Sequence, residues 1–261
     1  MRTLLNDINP SIKAITVIIT VCLLTFFFDP FTPLVYCLLT ILITFLFGKV
    51  AWRLYIIYFL VVCLLSVGML WTTLAFSNEA SNPEITTTFL FWELPKENVT
   101  VALSLTLRML AFAALSFMFI FTTNMVHFIL SLMQQCKLPP KLAYGILAGF
   151  RFLPLMKEEL WQIRAAHRVR GADRGSGIRN TIQQYKRYAI PLLAGAILKA
   201  ERTAIAMESK GFSGEKNRTF YRQFTVSWVD WLFLISMLLL LGIIVAISMK
   251  LGYFSWYKGQ F

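Results

Sequence analysis

Residues 163–171 read IRAAHRVRG and residues 203–211 read TAIAMESKG. Both lie in a basic segment, residues 151–222, set between hydrophobic runs. Each closes a helix-like run on a cation followed at once by glycine: Val169-Arg170-Gly171 in the first, Ser209-Lys210-Gly211 in the second. That is the chemistry of a helix C-terminus. Glycine takes the left-handed cap without a Cβ penalty, and a cation on the last turn faces the negative end of the helix dipole. Two long helices whose terminal glycines stand forty positions apart therefore predict two matched cationic tips.

Around this segment the chain is apolar. Its 261 residues are 57% hydrophobic and 15% aromatic, with mean hydropathy +0.66. Apolar runs near spanning length make it an integral membrane protein rather than a soluble domain. The formal charge is +12. Residues 136–222 hold 17 Lys/Arg against 6 Asp/Glu, so nearly all the excess sits there. A basic loop beside membrane spans reads as cytoplasmic.

Taken in order, residues 12–28 form a first span stopped by Asp29-Pro30, and residues 31–47 a second ended by Gly48. Lys49 and Arg53 mark a cytoplasmic turn, and residues 54–76 a third span. Residues 77–98 are a polar loop with Glu79, Glu84, Glu93 and Glu97 against Lys96 alone, which places it outside. Residues 99–123 return to the cytoplasm. Residues 126–133 are a short apolar piece, and Pro139-Pro140 breaks the chain. Residues 141–170 read helical with a bend near Pro154, residues 173–177 as a turn, and residues 178–210 as helical with a break near Pro191. Residues 226–248 are the last span. The fold class is all-α integral membrane: about five transmembrane helices plus long cytoplasmic amphipathic helices. The division is a membrane domain 1–123 with four spans, a cytoplasmic or interfacial domain 124–224, and a last span with an extracellular tail, 225–261. The N-terminus is cytoplasmic and carries no cleavable signal: residues 1–9 are polar, and no small-residue cleavage site follows the first apolar run.

In the first long helix Phe152, Met156, Leu160 and Ile163 recur on one apolar face, beside a basic stripe of Lys157, Arg164 and Arg168. In the second, Leu193, Ile197, Ala200, Ala204 and Met207 make the apolar stripe, and Ala194, Gly195, Ala196 and Ala206 add small residues that let helices approach closely. The two long helices are expected to touch or cross there. A basic amphipathic pair also suits anionic lipid, which remains an alternative for the stripe as a whole. Lipid gives no reason for matched tips. A protein socket does, because an arginine at a helix tip forks onto a carboxylate.

Arg108 lies nine residues into its span and must face protein or water, most simply a carbonyl or polar side chain of a neighbouring helix. Cys22, Cys37, Cys63 and Cys136 lack metal or redox spacing, and His127 and His167 are far apart, so no metal site is expected. No GxxxxGK[ST] loop, HExxH motif or nucleophile elbow occurs. The spans hold no carboxylate cluster of the kind an ion carrier needs. Aromatics do not interleave with the basic run, so nucleic acid is not a partner.

With the two endings in place, the chain resembles the EcfT family, the transmembrane coupling subunits of energy-coupling factor (ECF) ABC transporters, with their cobalt-system (CbiQ-like) relatives. The family's marks are two Ala-Arg-Gly motifs ending cytoplasmic coupling helices. They match Val169-Arg170-Gly171 and Ser209-Lys210-Gly211; Asn9-Pro10 with Lys13, Arg108, Thr122-Thr123, and Arg151-Phe152 with Pro154 match as well. The departures are Val169 for alanine, and Ser209-Lys210 for alanine-arginine. Lysine keeps the charge but loses the planar fork, which suggests a second socket of different geometry or a dedicated rather than shared module. General likeness near the N-terminus leans toward the thiamine-precursor branch.

The resemblance implies a non-catalytic subunit of a vitamin or micronutrient importer in the bacterial cell membrane. Two ABC ATPases, homo- or heterodimeric, would bind Arg168, Val169, Arg170 and Gly171 at one tip and Ser209, Lys210 and Gly211 at the other. A small membrane substrate-binding subunit would lie on the apolar faces, in contact with membrane lipid. Arg108, Arg151 and Pro154 would be structural or intramembrane. No cofactor would bind this chain; ATP and Mg would sit on the ATPases. Two other readings stay open: a membrane enzyme acting on anionic lipid headgroups through Glu158, Glu159, Glu201 or Glu208, and a stand-alone channel or carrier.

Overall fold

The computed structural model describes residues 4–75, 86–89, 92–171, 178–215 and 219–252. The expected turn at 173–177 and the tail beyond residue 252 lie outside the described residues, as do residues 76–85 of the polar loop. The order is α1 (Leu4–Asp7), α2 (Pro10–Thr25), α3 (Phe31–Phe47), α4 (Trp52–Ala75), β1 (Thr86–Phe89), β2 (Trp92–Pro95), α5 (Lys96–Thr122), α6 (Met125–Gln135), α7 (Pro140–Val169), α8 (Ile178–Ser209) and α9 (Trp228–Lys250). The protein is all-α in architecture, with one hairpin where the sequence predicts only a polar loop. There β1 and β2 pair antiparallel, Thr86 opposite Pro95 and Phe89 opposite Trp92.

The chain divides into two compact units. One is Met1–Ser131 with Phe224–Phe261; the other is the inserted Leu132–Gln223. In the first, contacts between helices give their directions. Asn9 and Asp230 meet at one end and Asp29 and Ser248 at the other, so α2 and α9 run parallel. α5 runs against them, since Arg108 reaches Phe27 while Thr122 meets Lys13. α3 also runs against them, bringing Gly48 beside Thr122. α4 sets off again from that end, with Tyr55 packed on Phe117 and Phe121. Five helices thus traverse the unit in alternation. α4, residues 99–122 of α5, and α9 are long and apolar enough to cross a membrane; α2 and α3 are shorter apolar helices. α2 stops at Thr25, three residues before the predicted end of its span. The carbonyl of Phe27 is thereby left outside the helical ladder, and the Arg108 guanidinium donates to it.

Burial in this unit is inverted relative to a water-soluble protein. The buried side of α2 carries Thr16 and Thr20, and that of α3 carries Thr40 and Thr44. The outward side of α3 carries Leu38, Leu42 and Leu46, all more than half exposed. Each of those threonines donates to the carbonyl four residues back, at 2.7–2.8 Å. The hydroxyl is thereby satisfied within its own helix, and a small side chain faces the neighbour. Where leucine faces out and threonine in, the surrounding medium is hydrocarbon.

The membrane unit is tied by polar clusters at both ends. At one end Asp29, wholly buried, accepts from the Thr32 amide at 3.0 Å, the Thr32 hydroxyl and the Ser248 hydroxyl at 2.7 Å. Arg108 lies over the Phe28 ring at 4.5 Å. Asp29→Ala removes the acceptor of three buried bonds and is expected to cost about 2–3 kcal/mol. The loss should appear as a lower unfolding temperature in detergent, with Asp29→Asn, which keeps an acceptor, losing less.

Candidate functional site

In the inserted unit α7 and α8 form an antiparallel pair. Tyr144 stacks edge-on against Phe212 at 5.4 Å, Glu159 meets Lys199 at 2.5 Å, and His167 lies 5.4 Å from Tyr188. Residue numbers rise along one helix as they fall along the other. The end of α7 therefore lies toward the start of α8, and the two glycine-capped tips sit at opposite ends of the pair. Extending that register puts Arg170 beside about residue 185, some 25 residues from Lys210, or on the order of 35 Å at helical rise.

Both tips are capped by the same geometry. Gly171 has φ 70° and Gly211 φ 81°. The Gly171 amide donates to the Arg168 carbonyl at 3.0 Å, and the Gly211 amide to the Glu208 carbonyl at 2.9 Å. At the second tip the Phe212 amide also reaches the Met207 carbonyl at 3.0 Å, completing a Schellman motif. Phe212 then packs on Tyr144, which ties the end of α8 to the start of α7. The glycines were legible; Phe212 was not singled out, although an apolar residue one past the cap glycine is the usual companion of this motif.

The cations at the tips are free for a partner. Arg168, Arg170, Ser209 and Lys210 are exposed, and neither Arg170 nor Lys210 has an ion-pair partner among the described residues. Val169 between the two arginines is 90% exposed, an unusual state for a valine, and nothing among the described residues covers it. Arg151 and Pro154 lie on the exposed surface of α7, whereas Arg108 is buried in the membrane unit. Pro154 and Pro191 sit inside continuous helices, so no helix ends at either, contrary to the predicted break near Pro191. Each proline removes one bond from a ladder of about thirty residues.

The contact faces differ from the predicted stripes. From Phe152 onward the half-buried positions on α7 are Phe152, Met156, Glu159, Ile163 and His167, while Leu160 points outward. Glu159 takes the inner place because Lys199 neutralises it, and Gly195 leaves room: a Cβ there would come within 2.5 Å of Glu159 Oε1. On α8, Leu193 and Ile197 are 62% and 67% exposed, so the larger apolar residues face away from α7. Beyond the ion pair the helices part around a cleft of about 440 Å³, walled by Gly145 and Gly149 on one side and Ala200 and Ala204 on the other. Of the small residues predicted to bring the helices together, Gly195 does so against Glu159, while Ala200 and Ala204 line open space.

A multi-helix integral membrane protein with a cation-tipped helical pair inserted before its last span is the class these features define. The chain belongs to the cobalt transport protein (CbiQ) family, whose model matches residues 1–221, a span that takes in both tips and stops short of α9. It is similar to the energy-coupling factor transporter transmembrane protein EcfT of Bacillus subtilis (strain 168), 30% identical over 124 residues and 47% of each chain. The protein of the same name from Macrococcus caseolyticus (strain JCSC5402) is 28% identical over 146 residues, 53% of each chain. That from Streptococcus equi subsp. equi (strain 4047) is 37% identical over 98 residues, 36% of this chain and 35% of that one. In these alignments the chain spans about half, or less, of the length of the relatives it matches. The resemblance read from the helix ends thus finds its family.

Because Gly211 adopts a left-handed conformation, Gly211→Val is expected to strain the cap by roughly 1–2 kcal/mol. Faster amide hydrogen exchange confined to residues 207–212 would check this.

Proposed function

We propose that the chain is the transmembrane coupling component of an energy-coupling factor ABC importer, with a vitamin or related micronutrient as cargo. The observation that carries this reading is the pair of exposed, glycine-capped, cation-bearing tips at opposite ends of one antiparallel helix pair. A single anionic ligand would need one tip. Two tips on the order of 35 Å apart suit two sockets, as a pair of ABC ATPases would offer. ATP and Mg would be handled by those subunits, and this chain would be non-catalytic. The tips would lie in the cytoplasm with the N-terminus, and α9 would carry the C-terminus to the other side, in keeping with the basic charge of residues 136–222.

The outward apolar residues supply the third partner. Ile190, Leu193 and Ile197 on α8 and Leu153 on α7 are each more than 60% exposed. Such a row beside a bilayer suits a small membrane-embedded subunit that binds the cargo. The lipid-headgroup enzyme is less well supported, since Glu159, one of its four candidate carboxylates, is held by Lys199.

The test is co-purification of the ATPases with the tagged chain from detergent. Arg170→Glu with Lys210→Glu places like charge against the carboxylates a cation socket would contain. It should reduce recovered ATPase by at least about tenfold, or ~1.4 kcal/mol. Undiminished recovery with both tips reversed would sink the proposal. Each single reversal should release less than the pair, because two separate grips hold one complex.

A further inference from the structure

The chain leaves the membrane unit through α6 at Ser131 and returns at Phe224. Within that unit the two places adjoin, as the rings of His127 and Phe224 lie 5.5 Å apart. Residues 5–13 are bonded to α5, α6 and α9 there. Ser11 Oγ and Ser131 Oγ are 2.7 Å apart, tying α2 to α6. The Asn9 amide donates to Asp230 Oδ1 at 2.8 Å, while Asp230 Oδ2 takes the Ser227 amide at 2.7 Å, so the cap of α9 is shared with the N-terminal segment. Lys13 Nζ donates to the Leu5 carbonyl at 2.6 Å, the Thr122 hydroxyl at 3.2 Å and the Thr122 carbonyl at 3.3 Å. Thr122 ends α5, two residues before Asn124 begins α6 with a side-chain bond to the Val126 amide.

All six side chains are buried: Lys13 and Ser131 at 0% exposure, Ser11 at 2%, Asp230 at 3%, Thr122 at 4% and Asn9 at 5%. A buried ammonium persists only where its donors are met. Lys13 has three acceptors, and the carboxylates of Asp230 and Asp7 act on it as counter-charges. Two of the six lie on the two helices to which the inserted unit is attached, Ser131 on α6 and Asp230 on α9. The Asp29 cluster at the far end is as deeply buried, yet it meets α9 only at Ser248, at the end of that helix remote from the attachment.

We propose that residues 5–13 are a clasp, centred on Lys13, that fixes the two attachments of the inserted unit. Movement of that unit then acts on the membrane helices together instead of being lost in loose joints. The last step rests on the function proposed above; the clasp itself does not. Lys13, Ser11 and Asn9 are positioning residues that touch no partner.

Spin labels at Val126→Cys on α6 and Val229→Cys on α9, both exposed positions, report the separation of the attachments by pulsed EPR in the full chain after Cys22, Cys37, Cys63 and Cys136 are replaced. The parent should give a narrow distribution. Ser11→Ala with Lys13→Met, which removes the side-chain ties to α5 and α6 while nearly keeping volume, should broaden it about twofold. Asp29→Asn with Ser248→Ala should lower thermal stability but leave the width unchanged. An unchanged width in the first pair, or equal broadening in the second, overturns the clasp. If Lys13→Met does not fold, Ser11→Ala with Ser131→Ala is judged by the same width. In complex with the ATPases, the separation should stay fixed in the parent on adding magnesium-ATP and vanadate and shift in the clasp variants while hydrolysis continues. A shift in the parent also overturns the proposal. Failure of ATPases to bind the parent defeats the transporter reading and leaves the clasp to the distance widths.

Discussion

A polar group held between helices in hydrocarbon has to find its partner inside the protein, because no water is present to supply one. That constraint organises the membrane unit. Threonines bond back along their own helices and become neutral packing surface. Groups that cannot do so, Lys13, Asp29, Arg108 and Asp230, are placed where helices end and unpaired backbone groups are at hand. Arg108 takes the Phe27 carbonyl just past the end of α2, and Asp230 takes the Asn9 and Ser227 amides just before α2 and α9 begin. Helix ends leave carbonyls and amides unused, and buried charges consume them. The two needs are met by the same bonds, so the polar clusters lie at the ends of the unit and its middle is Ala111, Ala114, Leu115 and Met118.

Much of this was readable from the chain because its signals are local. Apolar runs of spanning length gave the membrane helices, and a cation followed by glycine gave the two tips to within a residue. The hairpin at 86–95 was missed because two four-residue strands in a polar loop present too short an alternation to separate from coil. On the inner face of α7 Phe152, Met156 and Ile163 stand as expected but Glu159 takes the place of Leu160, because hydropathy cannot register that Lys199 will neutralise a carboxylate forty residues away. The bonds that tie residues 9–13 to α5, α6 and α9 join residues 109 to 221 positions apart, a separation at which sequence carries no pairing rule. Arg108 could be assigned a protein partner on energetic grounds, yet nothing in the sequence named Phe27.

The units differ in how firmly they are held. Fixed, buried bonds run through the membrane unit. Among the described residues, the contacts between the long helices of the inserted unit include one ion pair whose side chains are 40% and 22% exposed and two ring contacts, beside an open cleft. An exposed pair of that kind contributes roughly 0.2–1 kcal/mol, and low contact density marks the part of a protein that rearranges most readily. Sliding of packed helices over a thin contact is a recognised route for conformational change. A force applied at a tip would meet less resistance between α7 and α8 than within the bundle.

This asymmetry bears on what kind of partner the tips suit. An anionic bilayer attracts cations spread over a face, and each adds about as much as its neighbour. It makes no use of a cap geometry repeated at opposite ends of a rod. The repeated φ near 70–80° at Gly171 and Gly211 ends both helices in the same backbone conformation, with an exposed cation at each end. A repeated ending suits a partner with carboxylates at set positions, since charge-assisted bonds there are directional. On the function proposed above, two like endings on a thinly joined helix pair would give two protein partners the same backbone to meet, a repetition for which a lipid surface has no use.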